Sequence, residues 1–278
     1  MRRDPAQGFF VRRLVALLTF AALGFAATAQ AAPPSVYVED LTWTELRDAV
    51  RAGTTTVIIP VGGTEQNGPH MALGKHNQRA HMLAGKIAAA LDHTVVAPVL
   101  AYAPEGGVNP PTAHMRFPGT ITIPDDAFRS TLASAARSFR QHGFKDVVFI
   151  GEHGGYQSQL KAVADALNRE WAATPARAHF IAAYYRSAQG DFAAALRAQG
   201  LTDAQIGTHA GAADTSLLLA LDPAMVRSDQ FARAAREGLT VGVAGDPQPA
   251  TAALGQIGVD LIVAQSVAAI RAALAERH

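Results

Sequence analysis

Glu65, His76, His153 and the pair His209 and Asp214 are the residues of this chain whose types and placement could do chemistry. They sit in four separate turn-like stretches, the richest being Val61-Gly62-Gly63-Thr64-Glu65-Gln66-Asn67-Gly68-Pro69-His70 and Gly151-Glu152-His153-Gly154-Gly155. Carboxylate oxygen together with imidazole nitrogen is a donor mixture that zinc and manganese accept. A divalent ion with an open position lowers the pKa of its water to about 7 and polarises a carbonyl, which is hydrolytic chemistry. Other mechanisms lack their residues. No G-x-S-x-G elbow, P-loop or G-x-G-x-x-G follows a strand-like run, and the chain has no cysteine to act as nucleophile or thiolate ligand.

Such residues need a scaffold that gathers distant turns. Thr56-Val57-Ile58-Ile59-Pro60 and Asp146-Val147-Val148-Phe149-Ile150 are apolar runs of strand length that lead into the Glu65 and His153 turns. Open α/β sheets place their ligand sites beyond the carboxyl ends of such strands. Strands are predicted at 55–61, 94–99, 146–150 and 178–185. Helices are predicted at 42–51, 77–91 (capped by Asn77), 125–142, 157–171, 191–199, 212–221, 228–237 and 255–275. Alternating strands and helices imply βαβ units, hence a three-layer α/β/α sandwich with a mostly parallel sheet. The proline- and glycine-rich loop from Tyr102 to Thr120 is long for a plain connection and is predicted to be functional.

Composition sets the class. With 278 residues, 49% hydrophobic, and a net charge of +1, the chain reads as one large globular domain without the basic surface that nucleic acid requires. Arg2, Arg3, Arg12 and Arg13 precede an apolar run from Leu14 to Ala26, then Ala29-Gln30-Ala31. That is the pattern of a secretory signal peptide cut after Ala31, leaving a mature domain of 32–278 in the periplasm or secreted medium. The apolar run is short for a bilayer span, so no stable membrane anchor is predicted. An exported chain without cysteine relies on its core for stability, and on His and carboxylate side chains for any metal.

Four segments in order resemble the creatininase (creatinine amidohydrolase) family. They are Pro60 to His70, Phe117-Pro118-Gly119-Thr120-Ile121, His153-Gly154-Gly155, and His209-Ala210-Gly211-Ala212-Ala213-Asp214-Thr215-Ser216, spanning roughly 40–275. The resemblance implies an α/β sandwich, often assembled as a hexamer, with a two-metal centre that hydrolyses C–N bonds of small or cyclic amides. This sequence departs from the pattern at telling positions. Asn67 stands where the family has His, His76 where it has a bridging Asp, Asp214 where it has Glu, and Gly155 where creatininase has a Glu ligand; Glu152 replaces a usual glycine. A neutral imidazole has one coordinating lone pair and cannot bridge as a carboxylate can. One zinc or manganese per chain is therefore predicted rather than two, held by Glu65, His76 and His153 with Asp214 as fourth ligand or support.

The resemblance makes His209 the residue that moves protons, with Glu152 as a second candidate base; Asn67, His114 and Tyr184 are predicted to face substrate. The expected activity is amide hydrolysis by metal-activated water in a homo-oligomer, with a small-molecule amide as substrate. Two other readings stay open. Asn67 and His76 favour a non-catalytic periplasmic small-ligand-binding protein with a degenerate metal site, and metal-assisted isomerisation or dehydration would use the same residues.

Overall fold

A computed structural model of the chain describes residues 33–276, so the expected signal peptide lies outside the described residues. Four strands form one parallel sheet: β1 Thr56–Val61, β2 Thr94–Val96, β3 Asp146–Gly151 and β4 Arg177–Phe180, in the order β2-β1-β3-β4. β1 pairs with β3 along its whole length, Thr56 opposite Asp146 and Val61 opposite Gly151. The two strands therefore finish level, and the turns that follow them lie side by side. Every residue of β1 and β3 is buried, which is why they read as unbroken apolar runs.

The described helices are α1 Trp43–Arg51, α2 Lys75–Ala90, α3 Asp125–Gln141, α4 Gln157–Glu170, α5 Ala182–Arg186, α6 Phe192–Ala198, α7 Asp203–Ile206, α8 Ala212–Leu221, α9 Phe231–Glu237 and α10 Ala252–Ala275. On one face of the sheet Val57, Ile59, Val147 and Phe149 pack against α3 and α4 through Phe128, Leu132, Leu160 and Leu167. On the other, Ile58, Val148 and Ile150 meet Leu83 of α2, Phe192 of α6, Leu217 of α8 and Ile262 of α10. Successive strand residues thus feed opposite layers, as the two-residue period of a strand requires. This is the predicted three-layer sandwich.

The boundaries differ from the sequence reading in three informative places. β2 stops at Val96, and β4 at Phe180, opposite Phe149, after which Ala182–Arg186 turns into α5. Tyr184 is therefore on a helix, not at a strand end. α2 begins at Lys75, two residues before the expected cap. Asn77 caps the preceding turn instead: its side-chain oxygen accepts the Gly63 N–H at 3.0 Å, and its amide donates to Thr64 Oγ1 at 3.1 Å.

α10 is long and apolar enough to cross a membrane, but Gly255, Val259, Ile262 and Ile270 are buried, and it packs on α8 and α2 as a core helix does. The contact with α8 is close. A β-carbon at Gly255 would stand 1.8 Å from the Ser216 carbonyl oxygen. Gly255→Ala must push the helices apart, and is expected to cost about 2 kcal/mol. A thermal midpoint equal to that of the wild type would contradict the packing.

Candidate metal centre

Tyr156 ties the two strand ends together. Its hydroxyl proton is shared by the Gly62 and Val61 carbonyls at 2.5 and 2.9 Å, and its oxygen accepts the backbone N–H groups of Glu152 and His153 at 3.1 and 3.0 Å. Glu65 and His153 are thereby held beside each other at the carboxyl edge of the sheet. The Glu65 side chain is fully buried and ringed by imidazoles. His76 Nε2 lies 2.7 Å and His209 Nδ1 3.7 Å from Oε1, while His114 Nε2 lies 3.3 Å and His153 Nε2 3.7 Å from Oε2. Donor atoms of Glu65, His114 and His153 all fall within 4.8 Å of one another. Glu65 Oε2 has no hydrogen-bond partner, although it is buried. Two imidazoles and one carboxylate, whose Oε2 is orphaned, fit a divalent ion of the zinc or manganese kind.

The local backbone is bent to deliver these rings. Ala113, before His114, and Ala210, after His209, both adopt left-handed backbone (φ 46° and 56°), a strained choice for residues with a β-carbon. Gln66 sits between the two rings, its Nε2 3.1 Å from both His114 Nδ1 and His209 Nε2, and its main-chain oxygen 3.0 Å from His209 Nε2. A proton on His209 Nε2 satisfies that carbonyl and leaves Nδ1 as the lone pair facing Glu65. The Gly155 N–H donates to His153 Nδ1 at 3.1 Å. Taking an ion at Nε2 of His114 or His153 requires the proton to move to Nδ1 and these contacts to be released, a cost that ion binding must exceed.

Electrostatics divides the site in two. Burial pushes the Glu65 carboxyl up, but His76, Lys75 and His209 pull it back below the ordinary carboxylate range. Burial and the Glu65 charge together raise its neighbour Glu105 to about 9, so the pair holds one proton between them. Burial depresses His153 and His209 to about 4, leaving both neutral at pH 7 and able to offer a lone pair. Beneath them lies an ion-pair network. Arg79 Nε is 2.9 Å from Glu152 Oε2, Arg79 Nη1 is 2.6 Å from Asp214 Oδ1, and Lys75 Nζ is 3.5 Å from Asp214 Oδ2 and 3.8 Å from Glu65 Oε1.

Several residues predicted for the site sit differently from expectation. Asp214 turns its carboxylate to Arg79, Lys75 and the Ala210 N–H, so it balances buried cations rather than facing the converging donors. Glu152 is buried on Arg79, His76 and the Tyr184 hydroxyl. Burial pushes its pKa up, but Arg79 and His76 pull it down by more, and the net depression makes it a poor base. Tyr184 is enclosed behind Glu152, and it is Tyr185 that lines the cavity. Asn67 is fully buried, and its amide donates to the Glu65 carbonyl at 2.9 Å, which shapes the turn rather than touching the cavity. His114 reaches the metal cluster itself.

His76 has both nitrogens against carboxylates, Nε2 on Glu65 and Nδ1 3.3 Å from Glu152 Oε2. That places it to orient Glu65 from behind. His76→Ala is therefore expected to weaken metal binding by about 10- to 100-fold without abolishing it. Complete loss of the ion would make His76 an indispensable ligand.

Sequence reasoning missed Lys75, Arg79, Gln66, Glu105 and Tyr156. A signal existed for two of them: Lys75, His76 and Arg79 share one face of α2, which also carries the buried Leu83.

His70 is also enclosed, its Nε2 3.0 Å from Thr215 Oγ1 and its ring edge-on to Phe231 at 5.6 Å. Burial lowers its pKa to about 4. The unfolded chain binds the extra proton below about pH 6.5 and the folded one only near pH 4, so this stability is complete above the window and lost as pH falls through it. The loss is on the order of 3 kcal/mol by pH 4. His70→Gln, which does not titrate, should flatten this share of the stability–pH curve; an unchanged slope would refute the assignment.

With this geometry in hand, the comparisons with known proteins are specific. The creatinine amidohydrolase family profile matches residues 39–270. A mycofactocin precursor peptide peptidase of Mycolicibacterium smegmatis is 31% identical over 224 residues, covering 72% of this chain and 78% of that protein. The chain belongs to the creatininase family. Creatinine amidohydrolase from Pseudomonas putida is 28% identical over 208 residues, covering 70% of this chain and 75% of the relative. The crystal structure of a creatinine amidohydrolase (creatininase) superposes with a TM-score of 0.70 at 22% identity, over 85% of this chain and 97% of that one. A manganese creatininase gives 0.70 at 23%, over 85% and 98%. These structures share the creatininase fold seen here. Membership, the hydrolase names of the relatives and the donor set together make this creatininase-family protein a metal-dependent hydrolase in broad class.

Proposed function

We propose that this creatininase-family protein hydrolyses a C–N bond of a small or cyclic amide, with one zinc or manganese ion held by Glu65, His114 and His153. The observation that carries the reading is the orphaned Glu65 Oε2 facing two imidazoles at a cavity of about 180 Å³, room for a small metabolite. Charge supports a single ion. Glu65, Glu105, Glu152 and Asp214 form one connected cluster with Lys75 and Arg79, so once the proton shared by Glu65 and Glu105 is released, four carboxylates face two fixed cations and leave two negative charges for one divalent ion. When bound, the ion supplies carbonyl polarisation and water of pKa near 7.

The chain's own groups do the rest. His209 is neutral at pH 7 with Nδ1 3.7 Å from Glu65 at the cavity edge; a proton taken from the attacking water is held only briefly there, since burial makes the imidazolium acidic, and is passed on to the departing nitrogen. His76 and, after it, Lys75, both buried beside Glu65, keep the carboxylate charged. Two of the relatives are named for amide cleavage, one of creatinine and one of a peptide, which supports the C–N bond and leaves the size of the substrate to experiment. Export through a signal peptide cut after Ala31 would put this activity in the periplasm, in a homo-oligomer that the family resemblance makes a hexamer.

The test is turnover of a panel of lactams, cyclic ureides and formamides in ¹⁸O-labelled water by the metal-loaded protein. Label in the acid product is the expected result. An acid product without label, or a product isomeric with the substrate, would end the hydrolase reading.

A further inference from the structure

Glu105 reaches the centre from the Tyr102–Thr120 loop and belongs to none of the four motif segments. Its side chain is fully enclosed, yet neither carboxyl oxygen has a hydrogen-bond partner. Oε2 stands 3.9 Å from His153 Nδ1, and the carboxyl lies against that of Glu65, whose own Oε2 is also unpartnered. Three carboxyl oxygens are thus buried together beside the imidazoles of His114 and His153, with no donor from the rest of the chain and one shared proton between the two groups.

The surrounding backbone makes room for this. Gly63 has φ +152°, and a β-carbon there would stand 2.4 Å from Glu105 Oε1. Thr122 Oγ1 accepts the Glu105 N–H at 3.0 Å and pins the loop. Two buried carboxylates side by side cannot both ionise without a cation, which is why the metal-free pair keeps a proton. One divalent cation between them takes the place of that proton and lets both groups ionise.

We propose that Glu105 is a ligand of the site's divalent ion, shared with Glu65 and His153; this rests on the metallohydrolase reading above. The loop then supplies two donors, His114 and Glu105, to an ion whose other ligands come from the ends of β1 and β3. The competing account is that Glu105 is a permanently neutral acid donating a hydrogen bond to Glu65.

Glu105→Gln separates the two, because the amide keeps the shape and a donor of the neutral acid but lacks an anionic oxygen. Zinc affinity of the mature protein is measured by competition with a chromophoric chelator, alongside the thermal midpoint of the metal-free forms. If Glu105 is a ligand, the variant binds zinc at least ~10-fold more weakly, with a metal-free midpoint at or above that of the wild type. Equal affinity overturns the proposal and leaves the metallohydrolase reading intact. A wild type that binds no zinc overturns both. A crystal of the wild type soaked in zinc gives a readout that needs no variant: a Glu105 oxygen about 2.0–2.2 Å from the ion is expected, and a Glu105 carboxyl turned away from it refutes the assignment.

Discussion

If the proposed centre holds, Glu65→Gln leaves a folded protein without an ion and cuts kcat/KM on the hydrolysed substrate by ~10⁴-fold or more. Glu65 is the one residue that touches every imidazole of the centre, with His76 and His209 on one oxygen and His114 and His153 on the other. A neutral amide oxygen is a weak ligand, and losing the charge also removes what attracts the cation into a buried site. Folding should survive, because Lys75 keeps Asp214 at 3.5 Å and His76 keeps Glu152 at 3.3 Å. Elemental mass spectrometry reads the ion per chain beside the kinetics. A variant that retains the wild-type metal content would show that the ion sits elsewhere, and the proposed centre would fall with it.

Arg79→Met should have the largest effect on stability, a loss of about 3–5 kcal/mol. Arg79 is 2% exposed and carries two ion pairs, to Glu152 at 2.9 Å and to Asp214 at 2.6 Å. Methionine fills most of the volume but leaves two enclosed carboxylates with Lys75 as the remaining fixed cation of the cluster. At about 2–4 °C per kcal/mol for a chain of this size, the thermal midpoint should drop by on the order of 10 °C. The sign with pH follows from the shifts. Burial raises the Glu152 and Asp214 pKa values, and Arg79 and its neighbours depress them to a net low position, so the pairs stabilise above the ordinary carboxylate range and weaken as pH falls. The variant's deficit should therefore shrink on acidification. A midpoint within 1 °C of wild type, the size of effect expected of a neutral surface change, would show that Arg79 is not the keystone of this network.

Glu152→Gln in the Arg79→Met background should recover part of the loss, since it removes one of the stranded charges.

What could be read from the chain alone was whatever local pattern encodes. Buried strands are continuous apolar runs, so β1 and β3 were visible, as were the turns that carry Glu65 and His153 at their carboxyl ends. The four motif segments carried the family and therefore the three-layer sandwich. The lack of cysteine limited a metal to nitrogen and oxygen donors. Tertiary structure decided which charges meet. Asp214 and Arg79 are 135 residues apart, and only the packing of α8 against α2 turns that carboxylate toward a guanidinium instead of an ion. His114 and Glu105 lie in a loop without periodicity, so nothing local says that one comes within 3.3 Å of Glu65 and the other lies against it. Tyr184 changed from strand end to helix because the chain leaves the sheet after Ile181, whose N–H still bonds the Phe149 carbonyl, and Ala182–Arg186 turn into α5. Backbone preference and burial act over a few residues and are written in order along the chain; charge pairing acts through space, and its partners are settled when the elements pack.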